Sequence, residues 1–118
     1  ETLCPDGPLA AAKLVELVAE RGPLAALLAD VPTYPIRRTS VEVEDKVAVM
    51  EQVESTVRRR YADVDDLDGV RVDLGDAWFL LRASGTQPLV RVTAEARDEG
   101  RTEEVFQEAR ALVDAAGR

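Results

Sequence analysis

The 118 residues contain no histidine, a single cysteine, lysine only as Lys13 and Lys46, and only 4% aromatic side chains. With no histidine and no second cysteine, Cys4 has neither a disulfide partner nor companions for a soft metal site. It also has no base nearby to make it a nucleophile, so it reads as an inert, small apolar residue that suits a reducing cytoplasm. No stretch approaches the roughly 18 uninterrupted apolar residues of a membrane span. The start also lacks the basic-then-apolar pattern of a secretory leader. These absences argue against a membrane partner and for a cytoplasmic protein. The chain opens on ETLCPDGP without an initiator methionine and is read as a piece of a longer polypeptide.

What is present suffices for one modest core: 46% hydrophobic residues in 118 imply a single small domain carrying part of a neighbour, not a disordered tail. Against 15 Lys plus Arg stand 23 Asp plus Glu, a net charge of −8. Such a field repels nucleic acid and anionic membranes, so neither is expected as a partner, and any anionic ligand must be captured locally. An acidic, arginine-using, lysine-poor composition also suits the salt-rich cytosol of a halophilic archaeon.

Along the chain, Asp6-Gly7-Pro8 reads as a helix start, and LAAAKLVELVAE places Leu14, Leu17 and Val18 on one stripe before Gly22-Pro23. A short helix follows in PLAALLADV. Pro32 and Pro35 then bracket a linker at 32–35, separating residues 1–31 from a second domain at 36–118. There IRRTSVEV alternates as a strand from Ile36 to Val43. Glu44-Asp45 opens a helix with Val49, Met50, Val53, Val57 and Tyr61 at helical spacing. Strands are expected at Val70–Leu74, Ala77–Ala83 and Leu89–Ala96, with a turn at Gly75-Asp76, and a closing helix from about Thr102 to Ala115 ending at Gly117. The expected fold is α+β. It is a mainly antiparallel four-stranded sheet in the order β-α-β-β-β-α, two helices on one face, preceded by a short helical segment.

The stretch RASGTQPLVRV, residues 82–92, sits between the last two strands. Pairing Arg82 with Leu89 leaves a six-residue loop and puts Leu80, Arg82, Leu89 and Arg91 on one face, with Phe79, Leu81, Val90 and Val92 on the core side. The loop offers the hydroxyls of Ser84 and Thr86, successive backbone N–H groups, and Gly85, free to take positive φ and leave the approach clear. A phosphate accepts from all of these and from a guanidinium together, each charge-assisted bond contributing about 1.5–3 kcal/mol. The repulsion of the whole chain is screened over roughly 8–10 Å at ordinary salt. The same residues also fit an ordinary polar turn, in which the hydroxyls satisfy their own backbone and the arginines pair with carboxylates such as Glu95.

RASGTQPLVRVTAEA closely resembles the R-x-S-G-T-E-P-x-x-R-V signature in the last domain of the α-D-phosphohexomutases, the phosphoglucomutase, phosphomannomutase and phosphoglucosamine mutase superfamily. DGPLAAAKLVELVAERGPLAALLADVPTYP is similar to the last helices of that family's third domain and the link onward, and DGVRVDLGDAWFLLRASGT to its approach to the loop. The resemblance implies a fold like that of the TATA-box-binding protein. It implies a phosphate-binding loop at Arg82, Ser84, Gly85 and Thr86 with Arg91 in support. Residues 1–31 would be a remnant of the third domain and 36–118 the complete fourth. Gln87 stands where the family usually has Glu, and Ala83 where Pro is common; neither change removes a phosphate donor.

In such enzymes a phosphoserine gives its phosphoryl group to a hexose phosphate, the bisphosphate turns over, and the other phosphate returns to serine, interconverting hexose 1- and 6-phosphates. The last domain grips the phosphate not being transferred and closes the cleft on a hinge, here expected at Val31–Pro35. The implied partners are hexose phosphate, hexose bisphosphate and the remaining domains of the same chain. The serine, magnesium and sugar loops of the family are absent from these residues. Magnesium is therefore implied for the full-length enzyme and not for this chain, and catalysis by this chain alone is not expected. The alternative is a stand-alone noncatalytic module that binds a phosphorylated ligand or partner.

Other features have plainer readings. DVDDLDG at 63–69 puts Asp68 at the glycine position and Leu74 at the twelfth position of an EF-hand register, so it reads as a solvated loop. Arg58–Arg60 suit a helix carboxy end, without aromatic interleaving for nucleic acid. Trp78 reads as an edge or core residue ahead of a sugar-cleft one, and Glu103-Glu104 as helix-start charges. From the charge pattern, the midpoint of thermal unfolding is expected to rise with added salt; a midpoint that stays level or falls would end the halophile reading.

Overall fold

The first strand alternates because its side chains must serve two environments, and the same period runs through the whole sheet. The computed structural model describes residues 6–117, so Cys4 lies outside the described residues. The described chain falls into two compact units that divide between Thr33 and Tyr34.

In the first unit, α1 spans Gly7–Arg21 and α2 Leu24–Leu27. Asp6 caps α1 by accepting from the Leu9 amide at 2.9 Å, a proline occupies the first turn, and Gly22 at φ 100° stops the helix with its N–H on the Val18 carbonyl. The stripe of Leu14, Leu17 and Val18 does not become a core. No residue of α1 is buried, and Val15 on its flank is 71% exposed.

In the second unit β1 (Ile36–Glu42) is followed by α3 (Lys46–Arg60), β2 (Val64–Asp65), β3 (Val70–Asp73), β4 (Ala77–Ala83), β5 (Leu89–Ala96) and α4 (Glu99–Ala116). The sheet has five strands in the order β1-β5-β4-β3-β2, every neighbouring pair antiparallel. The strand beyond the expected four is β2, which pairs Val64 with Val72 and Asp65 with Arg71. A two-residue strand in an acidic stretch has no alternation to announce it.

Both helices of this unit, like α1, start on an aspartate. Asp45 accepts from the Val47 and Ala48 amides at 3.0 and 3.1 Å. Asp98 accepts from the Arg101 amide at 2.9 Å, so α4 begins three residues before the expected Thr102. Once that cap forms, Gly100 is carried in the first turn despite its low helix propensity.

The core lies on one face of the sheet. Val70 and Val72 of β3, Phe79 and Leu81 of β4, and Val90, Val92 and Ala94 of β5 alternate inward and are buried under Val49, Val53 and Val57 of α3 and Val105, Ala109 and Val113 of α4. Each of these valine, leucine and phenylalanine side chains contributes roughly 1.5–3 kcal/mol relative to exposure. Tyr61, past the end of α3, meets the edge of Phe79 at 5.6 Å and donates its hydroxyl to Glu108 at 2.6 Å. Burial, and then the Glu108 carboxylate, push its pKa up, keeping the phenol protonated. Neither helix of this unit covers the opposite face of the sheet, which carries the out-pointing side chains of β1, β5, β4 and β3.

Candidate functional site

The β4–β5 hairpin fixes the geometry. Arg82 lies directly opposite Arg91 and Ala83 opposite Val90, and the Ser84 amide donates to the Leu89 carbonyl at 2.9 Å. The expected pairing of Arg82 with Leu89 is thus displaced by two residues, and the loop is Gly85–Pro88, shorter than expected. A displacement of two preserves side-chain parity. Leu80, Arg82, Leu89 and Arg91 therefore still share the open face, while Phe79, Leu81, Val90 and Val92 are fully buried on the other.

Two like charges directly opposite on a sheet are destabilising. Arg82 is relieved by Asp68, whose carboxylate accepts from it at 2.7 Å. Arg91 takes no ion pair or hydrogen bond from its side chain among the described residues. Glu95, one carboxylate that could have served, accepts instead from the Trp78 indole at 3.1 Å.

The loop's carbonyls are held from behind. Lys46, in the first turn of α3, donates to the Ser84 carbonyl at 2.6 Å and the Gln87 carbonyl at 3.4 Å. The Val43 amide donates to the Pro88 carbonyl at 3.1 Å, and the Leu89 amide to the Gln87 carbonyl at 2.9 Å, a tight turn over Pro88. In a planar trans peptide the N–H points away from its C=O, so drawing the Ser84 carbonyl toward Lys46 turns the Gly85 N–H away from it. The amides of Gly85, Thr86 and Gln87 have no partner among the described residues.

Ser84 is 3% exposed, and its Oγ is buried without a hydrogen-bond partner. A buried hydroxyl left this way costs about 1–3 kcal/mol. Thr86 is exposed with its hydroxyl uncommitted. Gly85 does not take the positive φ expected of it; among the described glycines only Gly22, Gly69 and Gly75 do. A Cβ at Gly85 would meet nothing within 4 Å, so what its glycine supplies is clearance on the solvent side.

The sequence reading missed three neighbours. Arg38 on β1 pairs with Thr93 and so joins Arg91 and Arg82 on the open face, where Arg38, Leu80, Arg82, Arg91 and Thr93 line a cleft of about 300 Å³. Its face was readable from the alternation of β1, but its neighbour was not, because β1 pairs with a strand far along the chain. Lys46 carried no motif. Asp68 was passed over with its loop as merely solvated. That loop instead lies against the site, for Gly69 at φ 89° comes so close to β4 that a Cβ there would stand 2.4 Å from the Leu81 carbonyl oxygen and 3.0 Å from the Arg82 Cβ.

The remaining candidates have local roles. Arg58 pairs with Glu54 and Asp66, and Arg60 with Glu108. Trp78 is half-buried, with Arg71 stacked on it at 5.1 Å. At the β3–β4 turn Asp76 accepts from Arg101 at 2.9 Å, which holds its carboxyl below the usual range. Among the described residues no group of His, Cys, Asp and Glu is placed to hold a metal ion, and no helix is long and apolar enough to cross a membrane. Two guanidiniums, free amides and an unpartnered hydroxyl around one short loop can accept a tetrahedral oxyanion.

Residues 38–112 match the family model for the phosphoglucomutase/phosphomannomutase C-terminal domain. The chain is 51% identical over 109 residues to a probable phosphoglucosamine mutase of Methanopyrus kandleri, covering 90% of this chain and 24% of the relative. It is 42% identical over 112 residues to the one of Methanocella arvoryzae, covering 93% and 26%. It thus spans about a quarter of the length of these curated relatives. In three dimensions it superposes on a phosphoglucomutase/phosphomannomutase family protein of Burkholderia thailandensis with a TM-score of 0.76 at 27% identity, over 94% of this chain and 24% of that one. The fold is also that of the Aspergillus fumigatus N-acetylphosphoglucosamine mutase, solved with GlcNAc-6P and magnesium, at a TM-score of 0.61 and 24% identity over 89% of this chain and 20% of that one.

Gly69→Ala is expected to lower the unfolding free energy by more than about 1 kcal/mol and to displace Arg82. Urea unfolding, with the Arg82 amide resonance as reporter, measures both; an unchanged midpoint and resonance would show that the close approach is not needed.

Proposed function

The chain belongs to the phosphoglucomutase/phosphomannomutase family as its C-terminal domain, and on that premise we propose that the loop after β4 grips the non-transferred phosphate of a hexose phosphate. In this reading Arg82 and Arg91 supply charge, Ser84 and Thr86 supply hydroxyls, and Gly85 gives backbone access. The observation that carries it is the direct facing of Arg82 and Arg91 beside free amides, in a chain with 23 acidic residues that could have neutralised both. The unpartnered Ser84 hydroxyl supports it, since a phosphate oxygen would satisfy it.

The complete polypeptide is then a phosphohexomutase. A phosphoserine elsewhere in it transfers its phosphoryl group to a hydroxyl of the hexose monophosphate, giving a bisphosphate and free serine. After the bisphosphate reorients, its other phosphoryl group returns to the serine and the isomeric monophosphate leaves. A grip that reads a phosphate and not a sugar serves both orientations, and closure of the domain over the cleft excludes water from the transfer. The names of the curated relatives make a glucosamine phosphate the first substrate to test. Residues 1–31 are read as the end of the preceding domain, consistent with the unburied apolar side chains of α1. Magnesium belongs to the complete polypeptide in this reading. No described residues here are grouped to bind it, and no step is assigned to it in this domain.

Arg82→Ala in the complete polypeptide is expected to weaken hexose-phosphate binding by roughly 1.5–3 kcal/mol while leaving the fold intact, because its pair with Asp68 is exposed and stabilises little. Calorimetric titration with glucosamine 6-phosphate decides it, and unchanged affinity removes Arg82 from the site. The 118-residue chain alone is expected to show no mutase turnover in a coupled assay on hexose phosphates; measurable turnover would contradict the division of labour given above.

A further inference from the structure

We propose that Arg38 is a third phosphate-holding residue, and that with Arg82 and Arg91 it makes the cleft select dianionic phosphate monoesters over monoanionic esters. This deepens the phosphate reading above and rests on it. The argument starts from the register. On the open face Leu89 lies nearest the loop, the next row holds Ser40, Arg91 and Arg82, and the one after it Arg38, Thr93 and Leu80. Rows on one face are separated by roughly 7 Å, and diagonal neighbours on adjacent strands lie within reach of long side chains. Arg38 is the diagonal neighbour of Arg91, and the two line one cleft together with Arg82, over Leu80 and Thr93.

Arg38, like Arg91, has no ion pair or hydrogen bond from its side chain to any described residue. Lining the cleft with three guanidiniums raises its potential at a cost in mutual repulsion that a fold with so many carboxylates had the means to avoid. Among the described residues one carboxylate, Asp68, is paired with them, through Arg82. Glu42, at the loop end of β1, and Glu95, the other diagonal neighbour of Arg38, share the face but do not line the cleft, and Glu95 accepts from the Trp78 indole. Three positive groups against one negative leave two positive charges for the occupant. A phosphate monoester carries about −1.5 to −2 near neutral pH, with a second pKa of about 6, and so matches them. A diester or a protonated monoester leaves a guanidinium uncompensated.

The second ionisation of the ester itself, at about 6, falls between pH 5 and 8. With no histidine in the chain, a fall in affinity that begins as pH drops through about 6 reports protonation of the free ester, which competes with binding of the dianion.

The test titrates the 118-residue chain with methyl phosphate and dimethyl phosphate at pH 7.5 and pH 5, following the Gly85 and Thr86 amide resonances. Wild type is expected to bind methyl phosphate at pH 7.5 most tightly, with both resonances shifting. Arg38→Gln is expected to lose roughly tenfold in that affinity and to narrow the preference over dimethyl phosphate, and Arg38→Lys to recover part of both. If Arg38→Gln keeps wild-type affinity and preference while Arg82→Gln is weakened, the role of Arg38 is overturned and the phosphate grip stands. If neither resonance of the wild type responds to methyl phosphate, both fall.

Discussion

The pairing of β4 with β5 is the constraint on which the rest depends. Phe79 and Leu81 must face the helices together with Val90 and Val92, and each fully buried side chain ties the two strands to one relative position. The alternation that hides these four leaves Arg82 and Arg91 facing each other on the uncovered side. Their opposition is thus not a loose surface accident. A slip of one residue that separated them would turn the core outward, and a slip of two would break the closing bond between Ser84 and Leu89.

A second layer of control comes from behind the loop. Lys46 and the backbone after β1 occupy the carbonyls of Ser84, Gln87 and Pro88. A loop whose acceptors are taken presents mainly donors to solvent. On the proposed reading this is how a strongly acidic chain would offer an anion a favourable spot without a large basic surface: the positive end of several local dipoles and two or three guanidiniums are concentrated within a distance comparable to the screening length, about 8 Å at physiological salt. Lys46 does this from α3, whose burial by Val49, Val53 and Val57 is independent of the site.

The fold class was legible because alternation and helical spacing are strong in this chain. β4, β5 and the buried face of α3 follow directly from where the valines and leucines fall. The site was legible in part. Arg82, Ser84, Gly85, Thr86 and Arg91 stood out by residue type and by a family resemblance, and parity alone put the two arginines on one face. Register escaped because the loop length had to be assumed. β2 escaped because Val64 and Asp65 carry no pattern, and the true start of α4 because Gly100 disguises a turn that Asp98 caps. The freedom of Gly85 to take positive φ is not used by the loop, whose carbonyls Lys46 holds. Arg38 and Asp68 are near Arg82 only through pairings and packing between segments distant in sequence, which no local motif records.

The contact between Asp68 and Arg82 also bears on how an occupant departs. An arginine already seated on an internal carboxylate is never stripped bare: an incoming anion displaces one counter-charge, and the same counter-charge waits beside the guanidinium to recapture it afterward. In the proposed phosphate grip such an exchange would narrow the difference between the filled and empty domain, the counter-charge being set on a turn that Gly69 presses against the strand.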